Sequence, residues 1–226
     1  AARAAGAWFH TDAVQSAGKL PIHLRDWSKI GVDLLSISAH KFNGPTGVGA
    51  LWVRRGVTLA ATATGGRHER NRRAGTENVL GIIGMGAAAD AARTTLSDMA
   101  AIAARRDRLE AAVLATIPGT IVNGDPARRV ANTSNIGFAG IEAEALLIAL
   151  DLEGIAVSTG AACSSGTLEP SHVLKAMGLP RERTRNSLRF SLGHSTTDAD
   201  IDRVLSVLPG LVDKLRRLTR SAAEVR

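Results

Sequence analysis

Short, nearly uninterrupted apolar segments recur in the first quarter of the chain, and they restrict the possible folds more than any other feature. These candidate strands are residues 7–10, 32–38 and 49–53. Continuous apolar character is typical of strands covered on both faces, because a strand with one face in solvent alternates between apolar and polar residues. The pattern therefore predicts an α/β fold with helices packed over a sheet.

Two Ala-rich stretches follow these strands, at residues 77–95 and 98–117. They contain little glycine after Gly86, which favours a pair of long helices. Pro118-Gly119 is expected to end the second helix.

The second half of the chain predicts another αβ region. Apolar residues at helical spacing begin at Ile141, and Gly154 is a stop signal before a candidate strand at residues 155–157. Ser171 is a candidate cap for a short helix, and Thr197-x-x-Asp200 is a capping-box-like start for a long final helix.

Arg189 lies in a segment of alternating residues that is typical of a half-buried strand. Leu188, Phe190 and Leu192 alternate there with Ser187, Arg189 and Ser191. The Arg189 side chain is therefore expected to point away from the Leu/Phe face.

Length and composition narrow the function. A chain of 226 residues has room for one full-sized domain or two small ones. The net charge is +7, but there is no Tyr and aromatic residues are only 3%, so few side chains could stack on bases. Direct nucleic-acid binding is therefore not expected.

The apolar stretch 79–92 falls short of the ~20 residues of a membrane helix, and a cytoplasmic protein is expected.

The strongest local signal is Ser36-Ile37-Ser38-Ala39-His40-Lys41, followed by glycines at 44, 47 and 49. A lysine at a strand end, beside a histidine and inside a glycine turn, is held where a neutral amine could form a Schiff base. The alternative is that the glycines simply form a hairpin and Lys41 is solvated.

Two further segments have both a chemical and a structural interpretation. Asp12 follows a strand, where a carboxylate could pair with a protonated ring nitrogen, or it could cap the following helix. The segment 65–76 combines glycines, arginines and Thr76 before a helix, which suits either an anion or an ordinary basic loop with Thr76 as the helix N-cap.

Cys163 is the only cysteine of the chain. It lies among Gly, Ala, Ser and Thr, which offer no apolar packing partners, so a reactive exposed thiol is favoured over a structural one. A surface thiol without function is the alternative.

These segments occur in one order along nearly the whole chain. They are Asp12-x-x-Gln15, Ser38-x-His40-Lys41, Arg70-x-x-Arg73-x-Gly75-Thr76, Cys163 with Leu168-Glu169-Pro170-Ser171, and Ser187-Leu188-Arg189-Phe190-Ser191-Leu192-Gly193. In this order they closely resemble the cysteine desulfurases of the NifS-like class. Five spaced motifs are far more specific than any one of them.

The resemblance implies an α/β fold of the pyridoxal-phosphate-dependent transferase fold type I. Residues 1–95 would be the later part of the large cofactor-binding domain. Residues 96–226 would be the small domain, with a mobile cysteine loop at about 158–170. The chain is accordingly expected to begin inside a longer one.

The resemblance also assigns roles to individual residues. Lys41 would hold pyridoxal 5′-phosphate and later move protons at the substrate carbon, and Asp12 would pair with the pyridinium nitrogen. Gln15 matches the residue that contacts the ring hydroxyl, and Ser38 and His40 match phosphate contacts.

The remaining implied roles concern the substrate, the sulfur and a second subunit. Thr76 matches a phosphate contact made in the partner subunit, which implies a homodimer with a shared active site. Arg189 would bind the carboxylate of L-cysteine. Cys163 would accept sulfur as a persulfide and pass it to an acceptor protein, such as an iron–sulfur scaffold or a tRNA-thiolation protein.

The chain also departs from the family pattern. His194, Thr46, Arg67 and Arg72 replace residues of other types, and no segment matches the histidine that stacks on the cofactor ring. If these 226 residues were the whole protein, weak cofactor binding and little activity would be expected. A truncated remnant, a selenocysteine lyase-like relative and an aminotransferase are the alternatives, although an aminotransferase has no use for Cys163.

Overall fold

The computed structural model describes residues 1–159 and 171–224, and it divides the chain into two compact units. Unit 1 is Ala1–Ser97 and unit 2 is Asp98–Arg226. Cys163 and most of the surrounding segment lie outside the described residues. No helix among the described residues is long and apolar enough to cross a membrane.

Unit 1 is built on a three-stranded sheet. Its elements are β1 (His10–Asp12), α1 (Leu24–Ile30), β2 (Leu34–Ser38), β3 (Gly49–Val53) and α2 (Val79–Thr94). β1 and β2 are parallel with Asp12 beside Ser36, whereas β2 and β3 form an antiparallel hairpin with Ser38 beside Gly49. The sheet order is β1-β2-β3. Because β1 and β2 are parallel neighbours, their carboxyl ends lie at the same edge of the sheet.

Unit 2 contains the second sheet and most of the helices. Its elements are α3 (Met99–Thr116), β4 (Thr120–Val122), β5 (Thr133–Phe138), α4 (Ala143–Leu152), α5 (His172–Ala176), α6 (Arg181–Arg185), β6 (Ser187–Ser191) and α7 (Asp198–Glu224). The sheet is antiparallel in the order β4-β5-β6. α3 and α4 both contact α7, and the core between these helices and the sheet includes Leu109, Leu146 and Leu208.

Most predicted elements occur in the structure, but two predicted strands need correction. The first strand begins at His10 rather than Ala7, and Trp8 and Phe9, which were expected in a buried strand, are 57% and 46% exposed. The segment 155–157 is not a strand, because only the following residue, Ser158, forms an isolated bridge with Arg189.

Candidate functional site

The ends of β1 and β2 bring several predicted site residues to one edge of the unit 1 sheet. Asp12 ends β1, and Ser38 ends β2 two residues beyond Ser36, the neighbour of Asp12. Side chains two residues apart on a strand share a face, so Asp12, Ser36 and Ser38 project to the same side. His10 lies on this face as well, and its Nε2 is 2.7 Å from Ser36 Oγ.

Asp12 also caps the turn that follows β1. Its Oδ1 accepts a hydrogen bond of 2.9 Å from the Val14 amide, and the Ala13 amide donates to the Ser36 carbonyl at 2.9 Å. The expected helix is absent, since residues 14–19 form a turn, and Asp12 caps that turn instead. The Asp12 side chain nevertheless stays exposed, so capping leaves the carboxylate accessible to a ligand.

Lys41 lies in a short 3-10 turn, Ala39–Phe42, directly after β2. Ala39 and Phe42 are buried and anchor this turn, while the Lys41 side chain is half-buried. Ser38 Oγ and His40 Nδ1 are 2.9 Å apart, so the hydroxyl and the imidazole are held together beside Lys41. The amine is thus attached to a rigid element with two anion-binding groups next to it.

The glycines after Lys41 are required by close backbone approaches. A Cβ at Gly49 would lie 2.7 Å from the Ile37 carbonyl oxygen, and one at Gly44 would lie 2.9 Å from Ala39 Cβ. Gly44 lies in the connection between β2 and β3, and Gly49 is the first residue of β3. The hairpin interpretation is confirmed, and it leaves open the chemical role of the lysine that the hairpin carries.

Gln15 is exposed in the turn of residues 14–19. The same turn contains Lys19, a residue that no sequence motif indicated. Lys19 Nζ donates to the carbonyl oxygens of Gln15 and Lys41, each at 3.2 Å. Partial burial, and then the charge of Lys41, lower the pKa of Lys19 from its usual value. Lys19 therefore joins the turn after β1 to the turn that carries Lys41.

Thr76 is exposed in the segment that precedes α2, and it is not the helix N-cap. That position belongs to Asn78, whose Oδ1 accepts a 3.0 Å hydrogen bond from the Gly81 amide, so the N-cap interpretation of Thr76 was wrong. The physical reason is register: α2 begins two residues later than the sequence pattern indicated. Thr76 therefore does not cap the start of this helix.

The basic segment before Thr76 adopts an unusual backbone. Glu69, Arg70 and Asn71 have φ angles of 49°, 58° and 64°. Left-handed conformations cost energy for residues with a side chain, and three in succession are rare. Strained backbone of this kind persists where surrounding residues hold it, and such positions cluster at ligand-binding sites.

Arg189 belongs to unit 2, in the middle of β6. Leu188 and Phe190 are buried on one face, as predicted, while Arg189 is half-buried and pairs with Asn135 of β5. Its backbone bonds to Ser158 on the other side, with N···O distances of 2.6 and 3.2 Å. Arg189 and Asn135 are therefore a non-hydrogen-bonded pair, the type in which side chains lie closest.

A buried polar network lies on the same face of this sheet. Asn123 Nδ2 donates to Asn135 Oδ1 at 2.6 Å and to Ser187 Oγ at 2.8 Å, while Arg183 Nε donates to Asn123 Oδ1 at 2.6 Å. Arg189 Nε is buried and has no hydrogen-bond partner among the described residues. An unpaired buried guanidinium nitrogen is unfavourable unless a ligand supplies the acceptor, and a carboxylate matches its planar donors.

The unit 1 residues fit pyridoxal phosphate by their chemistry and placement. A carboxylate at one strand end suits a protonated ring nitrogen, the adjacent Ser38–His40 pair suits a phosphate, and Lys41 supplies an amine for the aldehyde. Ligands bind outside the carboxyl ends of parallel strands in such sheets, which is where these residues lie. Thr76 precedes α2, Arg189 lies in unit 2, and Cys163 is outside the described residues.

Sequence reasoning overlooked Lys19 and the Asn123 network. The signals were weak: a lysine after a glycine in a turn, and asparagines within or beside short strands. Both depend on contacts between residues far apart in sequence, such as the 22 positions between Lys19 and Lys41.

Comparisons with known proteins agree with the motifs. The family described as aminotransferase class-V matches residues 1–204. A cysteine desulfurase of Cereibacter sphaeroides is 52% identical over 99% of this chain and 56% of its own length. Cysteine desulfurase 2 of Trichormus variabilis is 51% identical over 96% of this chain and 54% of its own length. The chain thus spans about half the length of the curated relatives it matches.

Solved structures give the same result. A NifS-like protein superposes with a TM-score of 0.81 at 33% identity, over 92% of this chain and 53% of its own. A NifS-like protein from Rickettsia africae gives a TM-score of 0.82 at 32% identity, over 93% and 55% of the two chains. With the strand-end cluster and the matched residues, these findings place the chain in the aminotransferase class-V family.

Proposed function

We propose that the protein containing this chain is a pyridoxal-phosphate-dependent cysteine desulfurase. It would convert L-cysteine and the thiol of Cys163 into L-alanine and a Cys163 persulfide. The observation that carries the proposal is the strand-end cluster of Asp12, Ser38, His40 and Lys41. It occurs in a chain that is 52% and 51% identical in sequence to two proteins named cysteine desulfurase.

Unit 1 would provide the cofactor site. Asp12 would bind the ring nitrogen, Gln15 the ring hydroxyl, and Ser38 with His40 the phosphate. Pyridoxal phosphate, when bound, supplies an electron sink for carbanion chemistry at the substrate carbons. Lys41 Nζ would bind the cofactor and carry protons to and from the substrate α-carbon, a function that suits a half-buried amine on an anchored turn.

Unit 2 would provide the substrate and sulfur groups. Arg189 would bind the carboxylate of L-cysteine, which fits its buried, unpaired Nε. The Cys163 thiolate would attack the substrate sulfur, forming an S–S bond while the C–S bond breaks. The electron pair of the broken bond stays with carbon, which takes a proton and becomes the methyl group of alanine. No external oxidant is needed, because the carbon is reduced by the electron pair that it keeps while the sulfur is oxidised to the persulfide level.

The proposal extends to the assembly and the cell. We propose a homodimer in which Thr76 of one subunit contacts the phosphate in the other; the exposure of Thr76 and the special backbone before it favour this role. The persulfide would pass to an acceptor protein of iron–sulfur assembly or tRNA thiolation in the cytoplasm.

The test uses the natural protein that contains this chain, supplied with pyridoxal phosphate, L-cysteine and a thiol reductant. Alanine and sulfide are measured together. Lys41→Ala is expected to abolish both products and the visible absorbance of bound cofactor, while Lys29→Ala, at an exposed lysine of the same unit, leaves them unchanged.

Cys163→Ser separates the sulfur step from cofactor binding. It is expected to keep the visible absorbance and to lose sulfide release. Sulfide release at the wild-type rate from this variant would show that Cys163 is not the acceptor. A wild-type protein that binds the cofactor but forms no alanine from L-cysteine would contradict the proposed activity, and one that binds no cofactor would support the remnant interpretation.

A further inference from the structure

Lys19 lies where the two turns of the cofactor-site cluster meet. Its ammonium donates to the Gln15 carbonyl and to the Lys41 carbonyl, both at 3.2 Å. One of these residues follows β1 and the other follows β2. A single side chain thus bonds to the backbone of both segments that carry cofactor-site residues.

The packing beneath Lys19 holds these turns together. Gly18 has φ = 75°, and a Cβ there would lie 2.8 Å from Phe42 Cβ. Ala17, Ala39 and Phe42 form one buried cluster. Because Gly18 lets the first turn lie directly against the second, the Lys19 ammonium is brought to a fixed place between them.

This arrangement is costly for a lysine. Burial removes part of the water around the ammonium, and the charge of Lys41 repels it; both lower the pKa of Lys19. Two neutral carbonyls do not cancel that repulsion. The ammonium offsets this cost by bonding to two carbonyl oxygens, which an apolar side chain of the same length could not do.

We propose that Lys19 is a positioning residue that sets the backbone of Lys41 relative to the turn carrying Gln15, and through it the orientation of the bound cofactor. This inference rests on the proposed function, since it assumes that Lys41 holds pyridoxal phosphate. Lys19 bonds to the carbonyls of the two turns and is assigned no contact with the cofactor, so it is not a catalytic residue.

The test compares Lys19→Met, which keeps the length but removes the donors, with Lys19→Arg, which keeps donors and charge. Lys29→Met is the matched control, because Lys29 is an exposed lysine of the same unit that forms a surface ion pair with Asp26. Each variant is made in the natural protein, and the cofactor release rate and the visible circular dichroism of the bound cofactor are measured.

Lys19→Met is expected to release the cofactor about tenfold faster, the change that corresponds to ~1.4 kcal/mol, and to have a weaker visible dichroism. Lys19→Arg should restore both towards wild type, and Lys29→Met should match wild type. Wild-type release and dichroism in Lys19→Met would overturn the proposal. Equal loss in the Met and Arg variants would also overturn it, because that pattern indicates general packing.

Hydrogen exchange in the cofactor-free protein separates this inference from the proposed function. Lys19→Met is expected to speed amide exchange at residues 15–20 and 41–44, and Lys19→Arg to slow it again. If the wild type binds no pyridoxal phosphate, the proposed function fails. If it binds the cofactor and the exchange rates of all variants are equal, only the role of Lys19 fails.

Discussion

Asp33 shows how one buried carboxylate organises the start of the unit 1 sheet. Its Oδ2 accepts from the Phe9 amide at 2.9 Å, and its Oδ1 accepts from Arg54 Nε at 2.7 Å. These bonds, that of the Phe9 amide first and then those of Arg54, lower the pKa of Asp33 from its usual value of 3.8. Asp33 thus joins the residue before β1 to the residue after β3.

The lowered pKa predicts an acid-dependent stability. A carboxyl group whose folded-state pKa is depressed stabilises the fold fully above its unfolded pKa of about 4 and loses that contribution as pH falls through the lower, folded-state value. Asp33→Asn is therefore expected to lower the Tm at pH 7, and the difference from wild type should shrink below about pH 4.

The matched control is Asp26→Asn, because Asp26 is 69% exposed and pairs with Lys29 one turn away. Exposed ion pairs of this kind contribute little to stability, so the Tm of this variant should match wild type at pH 7 and below about pH 4. Thermal unfolding followed at several pH values measures all three proteins. A Tm difference for Asp33→Asn that is independent of pH would show that packing, and not the charge, makes the contribution.

For individual residues, the sequence indicated which chemical groups could form the site, but not which other residues they contact. Asp12, Ser38, His40 and Lys41 could be picked out because strand ends and glycine turns are local patterns. The interactions of Lys19 and Asp33 could not, since each joins segments about 20 or more positions apart. Such contacts follow from how turns pack, which no local pattern contains.

The start of α7 is an element whose boundary follows directly from local chemistry. The Thr197 amide donates to Asp200 Oδ2 at 2.7 Å, and the Asp200 amide donates to Thr197 Oγ1 at 3.2 Å. This reciprocal pair satisfies two amides that the first turn of the helix leaves without partners. The predicted capping-box start is confirmed.

Thr197→Ala is expected to destabilise unit 2 by about 1 kcal/mol, within the ~0.5–2 kcal/mol range of lost caps. Urea denaturation followed by circular dichroism measures the change.

Ser206→Ala is the matched control, because Ser206 is exposed within the same helix and its hydroxyl donates only to the Arg203 carbonyl. Alanine is the better helix former, so this variant should be neutral or slightly more stable. Equal destabilisation by both substitutions would mean that the helix start does not depend on the cap.

Other elements differ in how far they could be predicted. The bounds of β3, Gly49–Val53, match the prediction, since a glycine turn precedes it and its register with β2 is set by the hairpin. The segment 155–157 has apolar residues but forms no ladder among the described residues, and only Ser158 pairs, through an isolated bridge to Arg189 of β6. Apolar character identifies a candidate strand, whereas pairing decides whether it forms.

Across the whole molecule, the two units are packed very unequally. The largest fully buried side chains all belong to unit 2, including Phe138, Leu150 and Leu188. In unit 1, by contrast, Val79, Leu80 and other large apolar residues are exposed; Leu80 is 84% exposed. Unit 2 therefore has the larger fully buried core, although it also exposes apolar residues such as Leu152, at 83%; in unit 1, α2 alone exposes Val79, Leu80, Ile82 and Ile83.

This difference predicts unequal protection of the two units. In the 226-residue chain, amides of β5, β6 and α7 are expected to exchange slowly, and those of β1 and α2 much faster, because local opening costs less where few apolar contacts are lost. Hydrogen exchange with peptide-level mass spectrometry measures both units in one sample. Equal protection would show that the exposed apolar residues of unit 1 do not weaken it.

The open surface of unit 1 has a consequence for the time course of synthesis. Unit 1 leaves the ribosome before the 129 residues from Asp98 to Arg226 are complete. At ~5–20 residues per second, that interval lasts about 6 to 26 s. During it, the nascent chain already presents the apolar residues of α2, so a chaperone that binds apolar segments would have access to unit 1 before unit 2 is complete.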